Sequence, residues 1–121
     1  MGSELLFVYG SLRRGFEAQG LMRRVGARYL RKARVRGRLF NSGEFLGAVK
    51  VPRSSASILG ELYYLPSAAR ALRSLDRYEG IGFRREATEV ELKSGRRVRA
   101  WIYWLKRAPA SRHQIQSGSW N

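Results

Sequence analysis

From Lys32 to Phe40 the chain alternates residue by residue: Ala33, Val35, Gly37 and Leu39 fall on one side, Arg34, Arg36 and Arg38 on the other. A period of two marks a strand with one face in a core and one in water. Two other segments are apolar without alternation, the pattern of buried strands. Leu5 to Tyr9 stops at Gly10, and Ile58 to Leu65 stops at Pro66. Ala48 to Val51 reads as a short strand ended by Pro52. Ala87–Leu92 and Val98–Leu105, joined by Lys93-Ser94-Gly95-Arg96, read as a hairpin. Only two stretches read as helix. One covers residues 17–25 and is weakened by Gly20. The other covers 66–79, opened by Pro66 and closed by Gly80. Strands and helices do not alternate regularly, which argues against a doubly wound fold. The expectation is α+β: a small mixed, strongly curved or barrel-like sheet of five to six strands with two short flanking helices. A chain of 121 residues suits a single domain over 1–121, with an irregular tail from about Ala108.

The residue inventory narrows the chemistry. There is no Cys, so disulfides, thiolate zinc sites and a Cys nucleophile are excluded. One His cannot build a multi-His metal centre, and no metal site is expected. That His is His113 in the tail, and no G-x-S-x-G elbow is present, which argues against a Ser–His hydrolase. Lys and Arg total 24 against 9 Asp and Glu, a net charge of +15. Such a balance raises a nucleic-acid-binding reading. The Arg residues, however, are spread along the whole chain, and no RRM, KH or helix-turn-helix signature accompanies them. A solvated basic face is the preferred reading. Met1-Gly2-Ser3-Glu4 lacks the basic region and cleavage site of a secretory signal, and no apolar run reaches the ~18–20 residues of a membrane helix. The expected setting is the cytoplasm, without membrane contact; oligomeric state is left open.

Two places could hold chemistry. The first is the loop after the first strand, Gly10-Ser11-Leu12-Arg13-Arg14-Gly15. A strand that breaks into Gly-Ser exposes successive backbone N–H groups, which can form an anion-binding concavity; a plain strand-to-loop turn is the alternative. The second is Glu79. Leu72 and Leu75 mark the apolar face of the second helix, and Glu79 lies seven residues after one and four after the other. The carboxylate therefore points inward, at the helix end where the macrodipole is negative. Burial and dipole both favour a raised pKa, suited to accepting a proton near neutral pH. An inward Glu paired with one of the many Arg is the alternative. Asp76 can pair with Arg73 at i−3 and reads as structural. Glu61, Glu86, Glu89 and Glu91 fall on strands, the last two on a solvent face opposing Arg side chains. Trp101, Tyr103 and Trp104 read as core or cavity wall.

These blocks resemble a known family. Phe7-Val8-Tyr9-Gly10-Ser11-Leu12-Arg13-Arg14-Gly15 is similar to the signature loop of γ-glutamylcyclotransferase-like proteins. Gly60-Glu61-Leu62-Tyr63 resembles their central strand, Leu75-Asp76-Arg77-Tyr78-Glu79-Gly80 their catalytic helix end, and Arg99-Ala100-Trp101-Ile102-Tyr103 their last strand. The likeness covers about residues 5–105. It implies a small mixed barrel and a reaction in which the α-amine of a γ-glutamyl group attacks its own γ-carbonyl. The products are 5-oxoproline and an amine or amino acid. It implies Glu79 as the catalytic acid–base and Tyr9, Gly10, Ser11 and Leu12 as the substrate-binding loop, with no cofactor or metal. The implied partner is a small γ-glutamyl compound. Two positions depart from the pattern: Phe83 stands where many relatives have Tyr, and Ser119 where the family often has Asp. A non-catalytic small-carboxylate-binding protein of the same fold and, behind it, a basic nucleic-acid-binding domain are the alternatives.

Overall fold

The computed structural model describes residues 4–10, 18–41, 46–51 and 56–115. Their strands are β1 (Leu5–Val8), β2 (Arg28–Arg36), β3 (Arg38–Asn41), β4 (Leu46–Val49), β5 (Ser57–Tyr64), β6 (Phe83–Leu92), β7 (Arg97–Leu105) and β8 (Gln114–Ile115). The helices are α1 (Gln19–Arg24) and α2 (Ala68–Glu79). The sheet runs β1-β5-β2-β6-β7-β4-β3-β8, and a further pairing of β1 with β7 closes its first five strands into a barrel. Strand β7 makes both connections. Trp101 lies beside Leu6 of β1, and Trp104, further along, lies beside Ala48 of β4. Both contacts are parallel, whereas β1–β5, β2–β5, β2–β6 and β6–β7 are antiparallel. The mixed, barrel-like α+β fold expected from the patterning is the one observed, with β3, β4 and β8 added beside the closed five strands.

Alternation within the barrel strands sorts side chains into two cores. Phe7, Val35, Ile58, Leu62, Val90, Ile102 and Trp104 belong to the cluster that fills the barrel. Their neighbours Leu6, Val8, Tyr63 and Tyr103 face outward and meet Met22 of α1 and Ala71, Leu72 and Leu75 of α2. Leu75 is fully buried, so its side chain alone stabilises the fold by roughly 1.5–3 kcal/mol and fixes the rotation of α2. One core locks the sheet, and the other docks the helix that ends in Glu79.

Several boundaries differ from the sequence expectation; β4 runs Leu46–Val49 rather than Ala48–Val51, and α2 starts at Ala68, two residues after Pro66. The alternating run from Lys32 to Phe40 is two strands, broken at Gly37. A Cβ at Gly37 would lie 2.9 Å from both Ile58 Cδ1 and the Val49 carbonyl oxygen, so the chain turns there through a space only glycine fits. Ala33, Val35 and Leu39 still share one core, as their spacing requires. Strand β6 begins at Phe83, four residues before Ala87, because Phe83, Arg84 and Arg85 pair with Leu105, Trp104 and Tyr103 across the hairpin. The tail, expected to be irregular, forms a short strand at Gln114–Ile115 against Leu39 and Phe40. The hairpin turn is as expected: Leu92 N–H donates to the Arg96 carbonyl at 2.8 Å, with Gly95 at φ 90°.

Candidate functional site

Helix α2 ends at Glu79 because Gly80 takes φ 84°, a left-handed conformation that costs glycine little. The Gly80 N–H still donates to the Asp76 carbonyl at 3.0 Å, so the last turn is satisfied as it closes. Leu72 and Leu75 hold the inner face of the helix, and Glu79 follows them inward and is half-buried. Burial pushes its carboxyl up to about 7. The negative end of the helix acts in the same direction. Among the described residues Glu79 has no hydrogen bond or ion pair. It differs in this from the acids on the strands. Glu91 pairs with Arg34 at 2.8 Å, Glu89 with Arg97 at 3.6 Å, and Glu86 with Lys50 at 3.0 Å and Arg84 at 2.7 Å. Glu61 is buried and accepts from the Tyr63 hydroxyl at 2.9 Å.

The first strand delivers Tyr9 to the same end of the barrel. Its buried hydroxyl donates to the Tyr103 carbonyl at 2.7 Å and accepts the Ala48 N–H at 3.1 Å. Burial drives the Tyr9 phenol far above its ordinary range; the Ala48 hydrogen bond opposes this, and the charge of Glu79 adds to it. The charge of Glu79 acts in the same sense on the Tyr103 phenol, after burial and Asp76. Glu79 is thus an electrostatic neighbour of both tyrosines. Gly10 lies beyond Tyr9 and close to Leu46, 3.3 Å from where a Cβ would sit. Since the Tyr9 side chain is committed inward, what it can offer a ligand is its main chain. Ser11 and Leu12 lie outside the described residues, as does Ser119.

A second group lies one helical turn before Glu79. Asp76 accepts from Tyr103 Oη at 2.6 Å and from Arg85 Nε at 2.8 Å and Nη2 at 3.2 Å. The Arg85 guanidinium lies over the Trp101 ring at 4.4 Å. Burial works against the Asp76 charge, but the hydrogen bonds from Arg85 and Tyr103 outweigh it and hold the carboxyl below its usual range. The pairing of Asp76 with Arg73 expected from helical spacing is replaced by this one. Strand β6 sets Arg85 directly opposite Tyr103, and a two-pronged guanidinium contact is stronger than an exposed i−3 pair. The sequence expectation for Tyr103, core or cavity wall, does not include this hydrogen bond to Asp76. The available signal was its position two residues after Trp101 on one face of β7, the face that meets α2.

Among the described residues, no three His, Asp or Glu side chains gather as a metal-binding group. None of the described helices is long and apolar enough to cross a membrane.

The model of one family, gamma-glutamyl cyclotransferase, AIG2-like, matches residues 6–121. The chain belongs to this family. Solved structures agree on the fold. An AIG2-like protein of Mus musculus superposes with a TM-score of 0.82 at 21% identity, covering 100% of this chain and 90% of that one. An uncharacterized protein of Pyrococcus horikoshii gives 0.67 at 24%, covering 97% and 89%. YkqA of Bacillus subtilis gives 0.78 at 28% identity over 97% of this chain, which spans only 39% of the Bacillus protein. No match was found among curated proteins. What this gamma-glutamyl cyclotransferase family member shares with the solved structures is the fold, a closed five-stranded barrel with added strands and two helices.

Proposed function

We propose that the protein is a γ-glutamyl cyclotransferase acting on a small γ-glutamyl amine or peptide. The observation that carries this reading is Glu79. It is an inward carboxyl without a cationic partner among the described residues, pushed up to about 7, beside the end of β1. A base of that strength accepts a proton at neutral pH and can return it. Family membership and the cyclotransferase fold support the same choice.

In the proposed reaction Glu79 takes one proton from the substrate's α-ammonium. The freed amine attacks the γ-carbonyl carbon, forming the five-membered ring and a tetrahedral oxyanion. Backbone N–H groups of the Tyr9–Leu12 loop are the proposed donors to that oxyanion or to the substrate carboxylate. Attack leaves the ring nitrogen with two hydrogens. Glu79 returns its proton to the leaving nitrogen as the original γ-amide C–N bond breaks, then takes the second proton from the ring nitrogen and releases it to solvent. The products are 5-oxoproline and the free amine. The nucleophile belongs to the substrate, so the protein needs to supply only proton transfer, orientation and charge stabilisation.

Incubation with a panel of γ-glutamyl amines and dipeptides, followed by detection of 5-oxoproline, tests this reading. Release from at least one member is expected. Thermal stabilisation by these compounds with no product from any of them would instead mark a binding protein.

A further inference from the structure

Both tyrosine hydroxyls beside Glu79 donate their protons elsewhere. Asp76 is held in its charged form by two contacts from Arg85, at 2.8 and 3.2 Å, and Arg85 is itself braced over Trp101. An ionised carboxylate accepts and does not donate. The proton in the 2.6 Å contact between Tyr103 Oη and Asp76 Oδ1 therefore belongs to Tyr103, in a short charge-assisted bond. A phenol has one proton, so Tyr103 meets any other group through its lone pairs alone. Tyr9 has likewise given its proton to the Tyr103 carbonyl. Asp76 and Glu79 are three residues apart on α2, which sets their β-carbons about 5–6 Å apart and brings the Tyr103 oxygen beside the turn that carries Glu79. The titratable and charged groups facing Glu79 among the described residues are thus Tyr9 beyond β1, Tyr103 on β7, Asp76 on its own helix and, behind Asp76, Arg85 on β6.

From this arrangement we infer that Asp76 and Arg85 are positioning residues that lock the polarity of the Tyr103 hydroxyl, so that Tyr103 Oη joins Glu79 as a second acceptor for the substrate's α-ammonium. The inference rests on the function proposed above and adds to it a binding residue, Tyr103, and the pair that orients it. Its chemical consequence is selectivity by charge. Glu79 and Tyr103 Oη present oxygen acceptors side by side, a pair that recognises a cationic amine and not a second carboxylate or an N-acylated amine. A Tyr103 hydroxyl free to rotate would instead donate to the Glu79 carboxylate, stabilise its charge and weaken it as a base.

The test is a double-mutant cycle read on the Glu79 carboxyl by NMR titration, alongside 5-oxoproline kinetics. In the parent the carboxyl should titrate near 7. Asp76→Ala removes the acceptor and frees Tyr103 to donate to Glu79, and the midpoint should fall by about one pH unit. In the Tyr103→Phe background the same Asp76→Ala change should move it much less, because no hydroxyl remains to turn. An equal shift in both backgrounds, or none in either, overturns the inference: the first would be a plain loss of negative charge, the second no coupling. Tyr103→Phe alone should leave the Glu79 midpoint near that of the parent and lower kcat/KM about tenfold, the loss of one hydrogen bond to a charged group. Unchanged kcat/KM in Tyr103→Phe contradicts the inference even if Asp76→Ala does not fold. If the parent releases no 5-oxoproline from any substrate, the proposed function fails, while the carboxyl titrations still decide whether Asp76 controls Tyr103.

Discussion

The hydroxyl of Tyr9 donates to the carbonyl of Tyr103 across 2.7 Å, and the same oxygen accepts the Ala48 amide. A single phenol thus ties the exit of β1 to β7 and β4 at the end of the barrel where Glu79 stands. Strands β7 and β4 are parallel neighbours, paired at Trp104 and Ala48. The tyrosine oxygen serves as an added rung between them.

Replacement of Tyr9 by Phe keeps the ring and removes the rung. It leaves the Tyr103 carbonyl and the Ala48 amide without that partner in a buried setting. The expected cost is about 2–4 kcal/mol of unfolding free energy. Urea unfolding of the two proteins checks this, and a difference below about 0.5 kcal/mol would show that the contact contributes nothing beyond packing.

Gly60 of β5 faces the barrel interior where β1 crosses it. A Cβ at this position would press on the Val8 carbonyl oxygen and come within 2.6 Å of the Phe7 ring. Backbone, not a flexible side-chain tip, would have to give way. Gly60→Ala should therefore destabilise the protein by roughly 1–3 kcal/mol although it adds a single methyl group. Thermal melts that superimpose on those of the parent would contradict such close strand packing.

Stability should also report on Glu79 without any substrate. Its folded-state value of about 7 lies above the ordinary 4.5, so the folded protein binds the proton more tightly than the unfolded chain. For a carboxyl raised in this way, stability falls as pH rises from about 4.5 to about 7 and is constant on either side. Glu79→Gln removes that penalty. The variant should be more stable than the parent at pH 8, by about 2–3 kcal/mol, and the gap should close below pH 4.5. A gap independent of pH would mean that the carboxyl is not buried as described.

The fold was legible where side-chain pattern alone determines it. The alternation from Lys32 placed Ala33, Val35 and Leu39 in one core, and the spacing of Leu72, Leu75 and Glu79 turned the carboxyl inward. What the pattern could not show was closure. That β7 pairs with β6 along one edge and shares the other between β1 and β4 depends on strands distant in sequence, which no local period encodes. The break at Gly37 was invisible for the same reason, since its cause is the approach of Ile58 and Val49 from elsewhere in the chain. Asp76 was misassigned to Arg73 because helical spacing reveals neighbours along α2 but not Arg85 arriving from β6. Ser11 and Leu12, expected to bind substrate, lie outside the described residues and stand as part of the proposal.

The central claim is that Glu79 is the proton acceptor of a cyclotransferase reaction. The most direct measurement is the rate of 5-oxoproline release from a γ-glutamyl substrate as a function of pH, for the parent and for Glu79→Gln. The parent's kcat/KM should rise with unit slope and level off above a midpoint near 7. Glu79→Gln should lose at least about 100-fold at the plateau and lack that limb. Equal release by the two proteins, with the same pH profile, would contradict the account.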